Sequence, residues 1–333
     1  MPRSNHPRLA AAILLALAAI ACSNNDTAQR TTSDGVTSGE LCVSSSCGEK
    51  IDLLDLPSAE NLIFTPDGRL FVSAGVGVVE VTKDGQGAFH TTTLSDASCT
   101  GSLGLAVRGD MLYAVCQKGI YAGAITATPH LTRIFDLVGM CIPNGMALGG
   151  DGNLYVVDEP LSLCVPDPKI VRLNIDPADP MHILSQETWV QGSAAGGLAF
   201  GVDNVLRFPN GLTSRGNTFF GTDGGSVYRV DLMPDGTAGE VLPLFWEPTA
   251  HDDLGIAGDD LTVADFAAGR IFLLSQSGVL LQETDRALWV GTSCARVARG
   301  PMFEPGDILV TSQGVLTDEN LPLDKLSVFR RRK

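Results

Sequence analysis

Residues 144–158 read NGMALGGDGNLYVVD, a short apolar run, a Gly/Asp turn and a second apolar run. Two β-favouring segments joined by a tight Gly-rich turn are the signature of a β-hairpin. The same pattern recurs along the chain. Residues 60–73 read ENLIFTPDGRLFVS, 102–115 SLGLAVRGDMLYAV, 210–223 NGLTSRGNTFFGTD and 252–265 DDLGIAGDDLTVAD, with a weaker copy, ARGPMFEPGDILVTS, at 298–312. The starts at 60, 102, 144, 210, 252 and 298 lie 42, 42, 66, 42 and 46 residues apart. A period near 40–50 residues with strands and turns only is that of propeller blades of about four strands. Six copies predict an all-β, six-bladed β-propeller over residues 41–333. The long step is assigned to an insertion within 159–195, where Pro160, Pro166, Pro168, Pro177 and Pro180 cluster. A strand around Leu326–Phe329 is expected to close the ring with the 41–56 region, which removes the free sheet edges.

The chain has 333 residues, 37 of them Gly, and a formal net charge of −15. That balance argues against a nucleic-acid partner, whose phosphates require Lys and Arg, and favours cations. The basic run Arg330–Lys333 is read as a solvated tail. At the other end, Arg3 and Arg8 precede an apolar stretch, Leu9 to Ile20, too short to span a bilayer comfortably, followed by small residues. This is a secretory signal over residues 1–21. The ending Ala19-Ile20-Ala21-Cys22 is similar to the lipobox of bacterial lipoproteins, which implies cleavage and a lipid on Cys22, hence a lipid-anchored protein of the cell envelope, on the outer membrane or a periplasmic face. Residues 22–40, polar and without apolar periodicity, read as a flexible tether. Export makes disulfides expected. Cys99 with Cys116 and Cys141 with Cys164 flank hairpins and suit local pairs, while Cys42, Cys47 and Cys294 leave an odd thiol.

The first positions of the repeats are Glu60, Ser102, Asn144, Asn210, Asp252 and Ala298. The first strand of each blade lines a propeller's central channel, so equivalent positions far apart in sequence converge on its axis. Glu60, Asn144, Asn210 and Asp252 supply the oxygen donors a hard cation takes, and calcium or another divalent cation is expected among them. No G-x-S-x-G elbow, H-E-x-x-H pair or P-loop is present.

The repeats resemble the regucalcin/gluconolactonase (senescence-marker-protein) family and, more distantly, the paraoxonases, over roughly residues 50–315. The resemblance lies in Glu60-Asn61-Leu62, in the Pro-Asn-Gly segments at 143–145 and 209–211, and in HDDLGIAGDDLTVAD. It implies that Glu60, Asn144, Asn210 and Asp252 ligate a calcium or other divalent ion, that Asn61 and Asp253 stand in a second tier at the metal, and that the reaction is hydrolysis of a small lactone or related ester. The sequence departs from the family where Asp253 replaces a Gly and where Ser98-Cys99-Thr100-Gly101 replaces a paraoxonase His pair. Asp252 is the first candidate for general base, with Asp253 and His251 behind it. Phe208 and Trp246 are candidate apolar walls. The protein is expected to be a monomer. The alternative function is a non-catalytic, calcium-braced propeller serving as a binding platform.

Overall fold

The computed structural model describes residues 41–160, 167–193, 205–314 and 323–333. The signal and tether segments, 1–21 and 22–40, lie outside the described residues. Twenty-four strands form six four-stranded antiparallel sheets, and no helix occurs among the described residues. Strand β1 (Gly48–Asp55) comes first. Blade one holds β2 (Leu62–Phe64), β3 (Leu70–Ala74), β4 (Gly77–Lys83) and β5 (Phe89–Thr93). Blade two holds β6 (Ser102–Arg108), β7 (Met111–Cys116), β8 (Gly119–Ala124) and β9 (Thr132–Asp136). Blade three holds β10 (Ile142–Leu148), β11 (Leu154–Glu159), β12 (Lys169–Ile175) and β13 (Ile183–Gln191). Blade four holds β14 (Pro209–Arg215), β15 (Thr218–Asp223), β16 (Ser226–Asp231) and β17 (Leu242–Trp246). Blade five holds β18 (His251–Ala257), β19 (Asp260–Asp265), β20 (Arg270–Ser275) and β21 (Leu280–Glu283). Blade six holds β22 (Thr292–Val297), β23 (Ile308–Gln313), β24 (Asp324–Arg331) and, as its outermost strand, β1.

The first strands of successive blades touch one another around the ring, with β22 against β2 completing the circle. The middle strands are buried on both faces, as all five residues of β3 show, whereas outer strands such as β5 are largely exposed. Burial on both faces explains the unbroken apolar runs in the sequence. Side-chain alternation then assigns each residue to one of two neighbours. In β3, Phe71 packs toward blade two with Leu105, Leu112 and Tyr121. Leu70 and Val72 pack toward blade six with Leu309 and Val328. Six such clusters fill the six gaps between blades, so the core is itself a ring.

The ring closes as the sequence predicts. β1 pairs antiparallel with β24, from Gly48 opposite Arg331 to Asp55 opposite Lys325. Three other expectations need correction. Arg330 belongs to the closing strand and is ion-paired with the buried Asp307 at 2.5 Å, so the solvated tail shrinks to the last residues. The sixth copy is mis-registered: the inner strand of blade six is Thr292–Val297, and Ala298 begins the connection to β23. The 159–195 segment contains two regular strands, β12 and β13, because its prolines fall outside them. The extra length of blade three falls in the connections 160–168 and 192–208, and the strands flanking both end and resume at the end of the ring where inner strands begin. Residues 161–166 and 194–204 are outside the described residues.

Disulfides join Cys42 to Cys47 and Cys99 to Cys116, and Cys294 is the buried free thiol. Cys141 is also disulfide-bonded, and Cys164 lies outside the described residues.

Phe329 is fully buried in the cluster between blades five and six, its ring 6.0 Å from that of Trp289. Phe329→Ala is expected to lower the unfolding free energy by about 3–5 kcal/mol in urea titrations. A loss below about 1 kcal/mol would place the closing strand outside the cooperative core.

Candidate metal centre on the axis

The inner strands of blades two to six break their pairing near their starts. The register shifts between Pro143 and Met146, Pro209 and Leu212, His251 and Leu254, Ser102 and Leu105, and Thr292 and Cys294. A bulge of this kind re-aims side chains and is common beside active sites. It turns Asn144, Asn210, Asp252 and Ser293 out of the ladder. Glu60, just ahead of β2, stands at the corresponding place in blade one, its amide donating to Ser73 O at 2.9 Å. In blade two the bulge puts Leu103 there, and Ser102 pairs with Cys116 instead. The structural register therefore replaces Ser102 by Leu103 and Ala298 by Ser293.

Glycine follows at the next position in blades two to four, for a steric reason. A Cβ on Gly145 would lie 2.5 Å from Asn210 O, and one on Gly211 would lie 2.6 Å from Asp252 O. Each glycine lets the next blade's donor-bearing backbone approach.

The four predicted donors come together. Asn144 Nδ2 donates to Asn210 Oδ1 at 2.9 Å and to Glu159 Oε2 at 3.0 Å, and Asn210 Nδ2 reaches Glu159 Oε1 at 3.4 Å. With its nitrogen given to Glu159, Asn144 turns its amide oxygen the other way. Thr222 Oγ1 and Thr311 Oγ1 hold the backbone carbonyls of Asp252 and Glu60. Glu60 and Asp252 are 6% and 5% exposed, and Glu60 Oε2 and Asp252 Oδ1 have no hydrogen-bond partner.

The electrostatics follow from this crowding. Burial raises Glu60 to about 8, with the charge of Glu159 adding to it and a Ser293 hydrogen bond opposing. Burial raises Glu159 to about 7, opposed by its bond from Asn144. Asp252 is pushed well above the carboxylate range by burial and then by Glu60, Glu159 and Asp253. Burial with like charges is the arrangement that a bound cation relieves. The unpartnered buried oxygens and all-oxygen donors fit a hard divalent ion.

Glu159 and Ser293 escaped the sequence reading. Glu159 ends the second strand of its blade, not the first. A signal existed nearby: three of the quoted repeats end in Asp158, Asp223 and Asp265. The first two are buried caps on the turn into the inner strand. Asp158 Oδ1 accepts from the amides of Cys141 and Ile142 at 2.6 and 3.0 Å, and Asp223 accepts from those of Arg207 and Phe208.

Asp253 and His251 take other places. Asp253 accepts from Asn61 Nδ2 and from Arg296 Nη2, each at 2.6 Å. His251 is 2% exposed and packs between blades four and five, against Phe245 of β17 and Phe272 of β20, at ring separations of 6.1 and 5.2 Å. One of its nitrogens lies within 4.8 Å of a carboxylate oxygen of Glu247 and one of Asp265, a second set that could hold a metal. Arg270 already supplies a cation there, bonded to Asp265 at 3.0 Å and to Glu247. Trp246, at the end of the outermost strand β17 and 42% exposed, does not line the channel.

The fold and site define a six-bladed propeller with an acidic, donor-lined axis. No protein-family model matches the chain, and no curated protein matches it. Solved structures do. Regucalcin from Agrobacterium tumefaciens, described as a calcium-binding protein, is 14% identical with a TM-score of 0.62, covering 85% of this chain and 92% of its own. A gluconolactonase from Xanthomonas campestris is 16% identical with a TM-score of 0.60, covering 86% and 90%. A luciferin-regenerating enzyme is 16% identical with a TM-score of 0.61, covering 85% and 94%. The chain has the fold of these proteins.

A carboxyl with a raised folded pKa binds its proton more tightly in the folded chain. The stability this confers is complete below the ordinary value near 4.5 and is lost as pH rises through 7 to 8. His251, lowered by burial to about 4, acts oppositely and only below its ordinary 6.5. Chelator-treated protein should therefore show a melting temperature that falls between about pH 6.5 and 8.5, with a shallower fall in Glu60→Gln. A flat profile in both proteins would contradict this charge arrangement.

Proposed function

We propose that the protein is an exported, lipid-anchored, monomeric hydrolase of small lactones or related esters, dependent on one divalent cation, calcium first. The observation that carries this reading is the set of buried, unpartnered carboxylate oxygens on Glu60 and Asp252, set against Asn144 and Asn210 at the channel mouth. The fold neighbours named as a calcium-binding protein and a gluconolactonase point the same way.

Glu60, Asn144, Asn210 and Asp252 would hold the ion, with Glu159 fixing the two amides. Bound there, the ion supplies Lewis-acid stabilisation of the charge that develops on an ester carbonyl oxygen. Asp252 serves as general base. It takes a proton from water as the oxygen attacks the carbonyl carbon, then returns it to the alkoxide released when the ester C–O bond breaks. Asp253 is less suited because its Oδ2 is already shared by Asn61 and Arg296, and His251 because its ring is enclosed by Phe245 and Phe272. Leu103 provides an apolar surface beside the donors. The Cys99–Cys116 bridge ties the segment leading into β6 to the end of β7, steadying the same rim.

The test is turnover of a panel of sugar lactones, alkyl lactones and aryl esters by the purified full chain, with calcium and with chelator. The expected result is calcium-dependent hydrolysis reduced about a hundredfold or more in Asp252→Ala. Bound calcium without turnover across the panel would favour the calcium-braced binding platform. For the anchor, cell fractionation should find the protein with membranes and the Cys22→Ser variant released. Equal membrane retention of both would remove the lipid from the account.

A further inference from the structure

We propose that Arg296 is the built-in cation of the channel, holding Asp253 out of the ligand set and limiting the axis to a single divalent ion. The inference rests on the metal-centre reading above and adds what decides the ion count.

Four carboxylates, Glu60, Glu159, Asp252 and Asp253, influence one another at the channel mouth. Asp253 directly follows the donor Asp252, in the position that Gly145 and Gly211 hold in blades three and four. It thus adds a fourth carboxyl group where those blades have no side chain. Its Oδ1 is buried without a hydrogen-bond partner. Left alone, Asp252 and Asp253 would offer adjacent carboxylates to a second cation.

Arg296 prevents this. It sits on β22, and its guanidinium meets Asp253 Oδ2 at 2.6 Å while Asn61 Nδ2 holds the same oxygen at 2.6 Å. The Arg296 side chain is 16% exposed, and it also lines a cavity of about 530 Å³ formed by the far halves of the inner strands. No acidic side chain lines that cavity, whose walls include Leu105, Met146, Leu212 and Ile256. The guanidinium therefore stands between the donor cluster and the far half of the channel. A guanidinium cannot lose its proton in a protein, so the neutralisation is permanent, unlike that from an exchangeable ion. Arg296 acts here as a positioning residue.

The experiment counts calcium bound per chain by equilibrium dialysis of the full-length protein at pH 8, with circular dichroism to verify folding. The wild type is expected to hold one ion and to stay at one at millimolar calcium. Arg296→Met should hold two, Arg296→Lys one, and Arg296→Met combined with Asp253→Asn one again. A wild type that takes up a second ion, or a folded Arg296→Met that still holds one, would overturn the role given to Arg296. A wild type that binds none would overturn the metal reading beneath it. If the methionine variant does not fold, a second ion taken up by the wild type at millimolar calcium still overturns the proposal, and the Arg296→Lys count still tests it.

Discussion

Repulsion among Glu60, Glu159 and Asp252 in a buried channel mouth is the constraint on which the rest of the structure turns. Two like charges 4 Å apart repel by about 4 kcal/mol at an effective dielectric of 20. The fold tolerates such a cluster only by keeping protons on it, as the raised carboxyls indicate, or by accepting a cation. A chain that merely needed a stable axis could have filled these positions with apolar side chains, as it does at Leu103. Burying acids there is costly unless a bound ion offsets the cost, and this ties the electrostatics to function.

The scaffold gives that cluster its rigidity. Six interblade cores fix the inner strands, and the pairing of β1 with β24 locks the ring shut. Within the ring, the recurrent bulge lifts one side chain per blade out of the sheet. The glycine after it lets the neighbouring donor backbone come close. The buried caps Asp158 and Asp223 then hold the turns that deliver β10 and β14 to the axis. Donors separated by nearly two hundred residues are thereby held together by strand pairing and interblade packing. Blade five departs from the plan, with Asp253 in place of glycine, and the compensating cation comes from the adjacent strand β22.

The blade repeat, the closing strand and the convergence of Glu60, Asn144, Asn210 and Asp252 were legible because each rests on a local pattern that recurs at fixed spacing. The partners of that set were not. Glu159 comes from the end of a second strand, and only three-dimensional pairing of Ile142 with Glu159 brings it to the axis. Ser293 was hidden by the degenerate sixth copy, whose first strand lacks the quoted pattern. The one-residue error at Ser102 arose because blade two has Leu103 where the other blades carry a polar donor, so the neighbouring Ser102 was the only polar side chain for the pattern to pick, and the bulge that turns Leu103 out of the ladder leaves no mark in hydrophobic periodicity. For the same reason the sequence could place His251 beside Asp252 but could not show that its ring turns into the blade, toward Phe272 and Asp265.

The most direct test of the central claim is anomalous diffraction from crystals grown with manganese as a calcium substitute. The account predicts a single axial peak ligated by Glu60, Asn144, Asn210 and Asp252. Density confined to the Glu247, His251 and Asp265 cluster, or none on the axis at saturating metal, would contradict it.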